Sequence, residues 1–269
     1  MPKVFFITGT STGFGNNLVQ EVLDRGDIAV ATARKPGTLK FEGANDENFL
    51  PLKLDVTSQS DIENSFKSAT DKFGRIDVVV NNAGSMEINF FGLLAVTKKA
   101  MEVMREQKPC GDLIQQVTSL GGQRGVPFFS IYCASKWAME GLTESSSREV
   151  KPKWNIKFTC VEPGGFRTDW AGRSMQFPEK NHPAYDHVDV REAMERKHGR
   201  QAGDSKKGAR AMYELAVLAD PPLRVVLGVM GIRRLWGGLR SMRGIVRSMR
   251  TSRIVVMWAN ERWNGWVAR

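Results

Sequence analysis

Residues Lys3–Gly15 read KVFFITGTSTGFG. An apolar run, Val4 to Ile7, stops at Thr8-Gly9, and glycines follow at Gly9, Gly13 and Gly15 in the spacing G-x-x-x-G-x-G. The run has the length of a strand and is too short for a signal peptide or a membrane span. A helical pattern then continues from Gly13 to Arg25. A strand that turns through glycines into a helix is the setting a phosphate-binding turn needs. Glycines let the backbone turn tightly, and the uncapped N–H groups and dipole of the helix hold an anion. The spacing is not the commoner G-x-G-x-x-G, so the turn alone is weak evidence and its context carries the reading.

Outward from this stretch, strand and helix alternate. Strands are expected at Lys3–Thr8, Ile28–Ala33, Phe49–Leu54, Asp77–Asn81, Leu113–Val117, Ile156–Val161 and Leu223–Leu227. Helices are expected at Gly13–Arg25, from Thr57 or Ser58 to Phe73, at Glu87–Gln107 and at Ile131–Val150. Continuous apolar strands alternating with helices predict a parallel sheet covered on both faces. Right-handed crossovers make it a doubly wound, Rossmann-type α/β fold. No repeat and no Pro- or Ser-rich linker interrupts it, so a single domain is expected.

The chain has 269 residues and a formal net charge of +10, which invites a nucleic-acid or membrane partner. The charge is local, however. Residues 229–269 hold nine arginines, one acid (Glu261), no lysine and four of the seven tryptophans. Residues 1–228 hold 30 basic and 28 acidic side chains. A nucleotide-binding domain over 1–228 and an atypical tail over 229–269 are therefore expected, with no nucleic-acid partner. Cys110, Cys133 and Cys160 lack metal spacing and read as buried thiols in a reducing, cytoplasmic setting. His182, His187 and His198 form no metal spacing either and read as exposed.

The end of the second strand discriminates between cofactors. A ribose 2′-hydroxyl is read by an acid there, a 2′-phosphate by an arginine. The segment is Ala31-Thr32-Ala33-Arg34-Lys35, with no acid between Ile28 and Phe41. Arg34 therefore favours NADP(H) over NAD(H). Further along, Tyr132 and Lys136 lie four apart in a helical pattern and share a face. A free tyrosine titrates near 10. An adjacent ammonium favours the phenolate and brings it toward working range, making a proton donor and acceptor. Ser119 ends the fifth strand beside them.

The ordered set TGTSTGFG, Asp55-Val56, Asn81-Asn82-Ala83-Gly84, Ser119, Tyr132-Cys133-Ala134-Ser135-Lys136 and Pro163-Gly164 resembles the short-chain dehydrogenase/reductase family. The branch looks like that of the hydroxysteroid and retinol dehydrogenases and many microbial oxidoreductases. The resemblance spans about Lys3 to Gly228. It implies that Tyr132 is the general acid/base, that Lys136 binds the nicotinamide ribose and lowers the Tyr132 pKa, and that Ser119 binds the substrate oxygen. It implies that Gly9, Ser11, Gly13 and Gly15 cradle the pyrophosphate. Asp55 and Val56 would contact adenine, and Asn81, Ala83 and Gly84 the ribose side. Pro163, Gly164 and Thr168 would border the nicotinamide, with Thr168 on its carboxamide. Asn89 matches the asparagine that completes the family's tetrad. The substrate implied is a moderately apolar carbonyl or alcohol, under a flap from Phe166 to Arg200 to which Trp170, Met175 and Phe177 could contribute. Subunits of the family often pair through the helices carrying Asn89 and Tyr132, which implies a homo-oligomer.

The chain departs from the family twice. Only Ser85 to Ile88 separate Gly84 from Asn89, where a segment on the order of twenty residues is absent, although the remaining connection exceeds the dozen or so a crossover requires. Asn89 would then start its helix, and a shift of about 1 Å at a catalytic group can cost a hundredfold. The alternative function is accordingly a dinucleotide binder with impaired catalysis, serving as redox sensor or scaffold. In the tail, Ile232, Leu235, Leu239, Met242, Val246 and Met249 fall at helical spacing against an arginine face, as in a membrane-surface helix. Gly231, Gly237, Gly238 and Gly244 oppose a helix. A shifted reading frame or retained intron is the competing reading. The transcript sequence across codons 85–86 and 228–229 distinguishes them.

Overall fold

The computed structural model describes residues 1–84, 90–171, 175, 177, 182–185, 187, 189–228 and 254–257. In chain order these form β1 (Val4–Thr8), α1 (Gly13–Asp24), β2 (Ile28–Ala33), β3 (Phe49–Lys53), α2 (Gln59–Phe73), β4 (Val78–Asn81), α3 (Phe91–Glu106), β5 (Asp112–Val117), α4 (Ser130–Glu149) and β6 (Ile156–Pro163). There follow β7 (Phe166–Arg167), α5 (Val190–Lys197), β8 (Gly203–Asp204), α6 (Ser205–Ala216), β9 (Arg224–Leu227) and β10 (Ile254–Met257).

The main sheet is parallel throughout, in the order β10-β9-β6-β5-β4-β1-β2-β3. This is the doubly wound Rossmann arrangement the alternation of apolar runs predicts. The chain winds outward from β1 to β3, then restarts on the other side at β4. The reversal between β1 and β4 leaves a crevice beyond their carboxyl ends, where ligands of such sheets bind. The order therefore places the Gly9 turn and the Asn82-Ala83-Gly84 turn side by side.

The strand period assigns each side chain to a layer. Phe5 and Ile7 of β1 pack with Leu18 and Val22 of α1 and Met212 and Leu215 of α6. Val4 and Phe6 pack on the other face with Ile62 and Phe66 of α2 and Val96 and Met104 of α3. Phe6 and Phe66 stack with ring centroids 4.3 Å apart. Each such fully buried side chain contributes about 1.5–3 kcal/mol relative to exposure. Of the two expected starts, Ser58 is the one that caps α2, its Oγ accepting from Asp61 N at 3.2 Å.

Some findings depart from the sequence reading, and two of its expectations fall outside the described residues. The helix α6 was not anticipated. It is capped by Asp204, whose carboxylate accepts from the N–H groups of Lys206 and Lys207, and Tyr213 on it donates to Asp27 at 2.8 Å. Cys133 and Cys160 are buried, but Cys110 is half-buried, with its thiol on the Lys153 carbonyl. The expected start of the third helix at Glu87, and Asn89 within it, lie outside the described residues; the described helix begins at Phe91. In the tail, the helical positions Ile232 to Met249 also lie outside the described residues, whereas Ile254–Met257 runs as a strand parallel to β9. No described helix is long and apolar enough to cross a membrane.

Phe66→Ala removes a ring with no exposed surface from the α2 face. It should lower the unfolding free energy by about 3–5 kcal/mol, measured by urea titration.

Candidate active site

The two turns at the switch point are tied to each other before any ligand is considered. Thr8 Oγ1 accepts the backbone N–H of Asn82 at 3.0 Å and of Ala83 at 2.9 Å, and donates to Val80 O. The Asn82 side-chain amide returns to the carbonyls of Thr8 and Gly9, both at 3.0 Å. Gly9 lies at φ +70°, and a Cβ there would stand 2.7 Å from Ala83 Cα. At Gly15 a Cβ would stand 2.4 Å from Gly9 O and 2.6 Å from Asn82 Nδ2. These glycines are therefore demanded by backbone against backbone, in addition to any approach of a ligand.

The groove between the turns fits a dinucleotide phosphate. Thr12 at the head of α1 makes no side-chain cap, and no acid occupies the first turn. The first N–H groups of α1 are thus left for an anion, with the positive end of the helix dipole behind them. Ser11 is exposed at the mouth, and the Gly13 Cβ position lies 3.6 Å from Thr168 Cβ across it. Gly84 is exposed and Ala83 half-buried on the other bank. Arg34 and Lys35 project into solvent at the end of β2. Half-buried Asp55 and Val56 follow β3. The Asp55 carboxyl is held below its usual range, chiefly by hydrogen bonds from Thr57, with the Arg34 charge also acting on it. Pro163 and Gly164 close β6, the latter bonded to Leu227 O at 3.0 Å.

Asn81 and Asn82 make different contacts. The Asn81 side chain is buried and donates to Thr97 of α3 at 3.1 Å. Asn82, which the sequence reading passed over, locks the turn. The signal was present in the adjacent pair of asparagines, since a side-chain amide is a natural partner for the free carbonyls of a tight turn.

Beyond the carboxyl ends of β5 and β6 the structure brings Ser119, Tyr132 and Lys136 together. Ser119 begins a single 3₁₀ turn, Leu120–Gly122, its Oγ accepting from Gly121 N at 3.1 Å. Tyr132 and Lys136 lie one turn apart on α4, with the Lys136 ammonium 5.8 Å from the Tyr132 ring centroid. Lys136 is buried, and its Nζ donates to Val117 O at 2.9 Å. Burial pulls its pKa down to about 8, partly offset by Glu140. The Tyr132 phenol is pushed up by burial, against a hydrogen bond with Ser119 that lowers it. The expected lowering by Lys136 is not among the causes acting on the phenol, whose direction burial sets.

An aromatic wall adjoins Tyr132. Trp170 lies 5.5 Å from its ring and Phe129 6.3 Å, with 5.8 Å between Phe129 and Trp170. Phe128 stands at φ +69°, a costly conformation for a bulky residue. Val126, Phe128 and Ile131 add exposed apolar surface alongside. Of the other flap residues, Met175 and Phe177 are half-buried, with Arg191 over the Phe177 ring at 4.9 Å. His182, His187 and His198 are exposed.

The model of the short-chain dehydrogenase family matches residues 3–178. The chain belongs to that family. An uncharacterised oxidoreductase of Schizosaccharomyces pombe is 39% identical over 240 residues, 82% of this chain and 80% of its own length. An oxidoreductase of Botryotinia fuckeliana is 38% identical over 251 residues, 85% of this chain and 89% of its own. Among solved structures, a short-chain dehydrogenase from Streptomyces avermitilis superposes with a TM-score of 0.77 at 30% identity, covering 93% of this chain and 97% of that one. ElxO with NADP bound superposes at 0.65 and 25% identity, over 82% and 94%. This chain is thus an oxidoreductase of the family, of the type acting on CH–OH groups.

Gly15→Ala should weaken dinucleotide binding at least tenfold and lower the melting temperature, since the clash is with backbone and cannot be relieved by a rotamer change. Fluorescence titration with NADPH alongside thermal unfolding measures both.

Proposed function

We propose that the protein is an NADP(H)-dependent oxidoreductase that interconverts a carbonyl and an alcohol on an apolar small molecule, with Tyr132 as the general acid/base. The observation that carries this reading is the convergence of Tyr132, Ser119 and Lys136 beside the switch-point groove. The bound nicotinamide supplies hydride in one direction and accepts it in the other.

In reduction, the Tyr132 hydroxyl gives its proton to the substrate oxygen, and in oxidation it takes that proton back. The phenol is protonated at neutral pH, the form a proton donor requires, and burial raises its pKa further. Ser119 Oγ donates to the same oxygen and stabilises the charge developing there, as an oxyanion-hole donor does. The Lys136 ammonium holds the ribose hydroxyls and supplies positive charge next to the phenol. Its burial keeps water from screening that charge. Thr168, opposite Gly13, holds the carboxamide in this reading, and the uncapped head of α1 takes the pyrophosphate. Asn89 retains the role the resemblance implies.

Arg34 supports a 2′-phosphate, since it stands exposed at the end of β2 with no acid from Ile28 to Phe41. ElxO, with NADP bound, shares the fold. Phe129 and Trp170 beside Tyr132 support an apolar substrate, because such a wall gains from excluding water and offers few hydrogen-bonding groups.

Tyr132→Phe should cut kcat for carbonyl reduction by about a thousandfold while NADPH still binds, because the ring is kept and only the proton donor is lost. Unchanged turnover in that variant would refute the assignment. Arg34→Ala should raise KM for NADPH about tenfold and leave KM for NADH nearly unchanged, as expected for loss of one charge-assisted contact; steady-state kinetics with both cofactors reads this.

A further inference from the structure

Thr168, which holds the carboxamide in the proposed function, follows directly on a strand that is anchored from two sides. Thr168 Cβ lies 3.6 Å from the Cβ position of Gly13 on the cofactor turn. Its Oγ1 accepts from Trp170 N at 3.4 Å. A hydroxyl that accepts in this way still has its proton to donate. Along β7, just before it, side chains alternate between opposite sides. Phe166 turns inward and is buried, whereas Arg167 turns outward and is exposed.

The inward side is fixed by the cofactor turn. Phe14, between Gly13 and Gly15, meets Phe166 edge to face, with ring centroids 4.9 Å apart. Helix α6 closes on this pair, and a Cβ on Gly208 would stand 2.4 Å from the Phe14 ring. The outward side is fixed by Arg167. Its Nη1 donates to Gln201 O at 2.7 Å and to Ala202 O at 3.3 Å, and its Nη2 to Asp204 Oδ2 at 3.0 Å. Asp204 serves two partners. Its Oδ2 takes the guanidinium, while Oδ1 caps α6 through the N–H groups of Lys206 and Lys207. The next residue, Ser205, accepts from the Asn17 amide of α1 at 2.9 Å. The clasp is thus tied to the helix whose head takes the pyrophosphate.

We propose that Arg167 and Asp204 are positioning residues for the nicotinamide half of the dinucleotide, acting through Thr168. The inference rests on the role of Thr168 proposed above. A planar guanidinium set on three acceptors has one orientation, and the backbone that carries it continues directly into Thr168. The two side chains of the ion pair are 42% and 41% exposed, so solvent screens their attraction and it adds little to overall stability. Its effect is on direction. Hydrogen bonds weaken steeply once distance or angle leaves a narrow range, so a small drift of Thr168 loses its contact with the carboxamide. Without the clasp, β7 keeps only its backbone pairing with β8 and the Phe14 contact to hold it.

Asp204→Asn separates this role from packing. Asparagine caps helices about as well as aspartate, its oxygen still accepting from Lys206 and Lys207. It cannot pair with a guanidinium as a carboxylate does, so the clasp is lost and the cap is kept. Calorimetric titration of the intact chain compares NADPH with adenosine 2′,5′-bisphosphate, which carries the adenosine half but no nicotinamide. Asp204→Asn and Arg167→Met should each weaken NADPH about fivefold and leave the bisphosphate within about twofold, the order expected for a well-placed exposed ion pair. The double variant should lose no more than Arg167→Met alone, because both changes break the same contact. Arg167→Lys, which keeps the charge but not the fork, should fall between the unaltered chain and Arg167→Met. Thr168→Val should show the same selective loss.

Equal loss for both probes marks a merely structural role and overturns the proposal, and Asp204→Asn decides this even if Arg167→Met fails to fold. Selective loss in T168V with none in D204N overturns it as well. If T168V binds NADPH unchanged, the carboxamide role fails and the positioning role with it. If the unaltered chain reduces no carbonyl while the selective loss holds, the proposed reaction fails and the positioning role stands.

Discussion

The contact on which the rest of the molecule depends is the knot between the ends of β1 and β4. One threonine hydroxyl, Thr8 Oγ1, takes two backbone N–H groups from the neighbouring turn, and one side-chain amide, Asn82, returns to two carbonyls of the first. Buried backbone groups at strand ends need partners, and here the partners are the opposing turn. A doubly wound sheet must open a crevice where its winding reverses. Without the knot, the two banks of that crevice would be separate loops. With it, they form one rigid ledge, and Gly9 and Gly15 are the residues small enough for the ledge to close.

Most of the architecture was legible because the apolar runs are long and regular. Val78 to Val80, for instance, can only be a strand buried on both faces, and the structure places it at the centre of the sheet. Helix α6 escaped notice because its apolar stripe is short and mixes small residues, Ala209 and Ala216, with Met212, Tyr213 and Leu215, after a start rich in lysine and glycine. Its N-cap, Asp204, was the available signal. The candidate site was legible as residue types at family spacing, but not as a set of contacts. Nothing in the spelling of Asn81-Asn82 says that the first amide packs into α3 and the second ties the turn. That choice follows from strand register, which sends alternate side chains to opposite faces.

Electrostatics was the least legible part. A lysine four residues after a tyrosine suggests that the ammonium lowers the phenol's pKa. In the folded protein, burial governs both groups and in opposite senses: it favours neutral phenol and neutral amine alike. Glu140, one turn on along the same helix, acts against that effect on Lys136. The formal charge of the whole chain says nothing about this, since its excess is concentrated in residues 229–269.

The short ribbon of β7 and β8 has a wider consequence. Phe166 pairs with Gly203 and Arg167 with Asp204, so the stretch from Thr168 to Ala202 leaves and re-enters the body through neighbouring hydrogen bonds. Its two ends are clamped whatever its length or composition. Lengthening such a loop carries a small entropic penalty, about 0.6 kcal/mol per doubling. The position of both ends is thus set by the body of the fold and not by the sequence that runs between them.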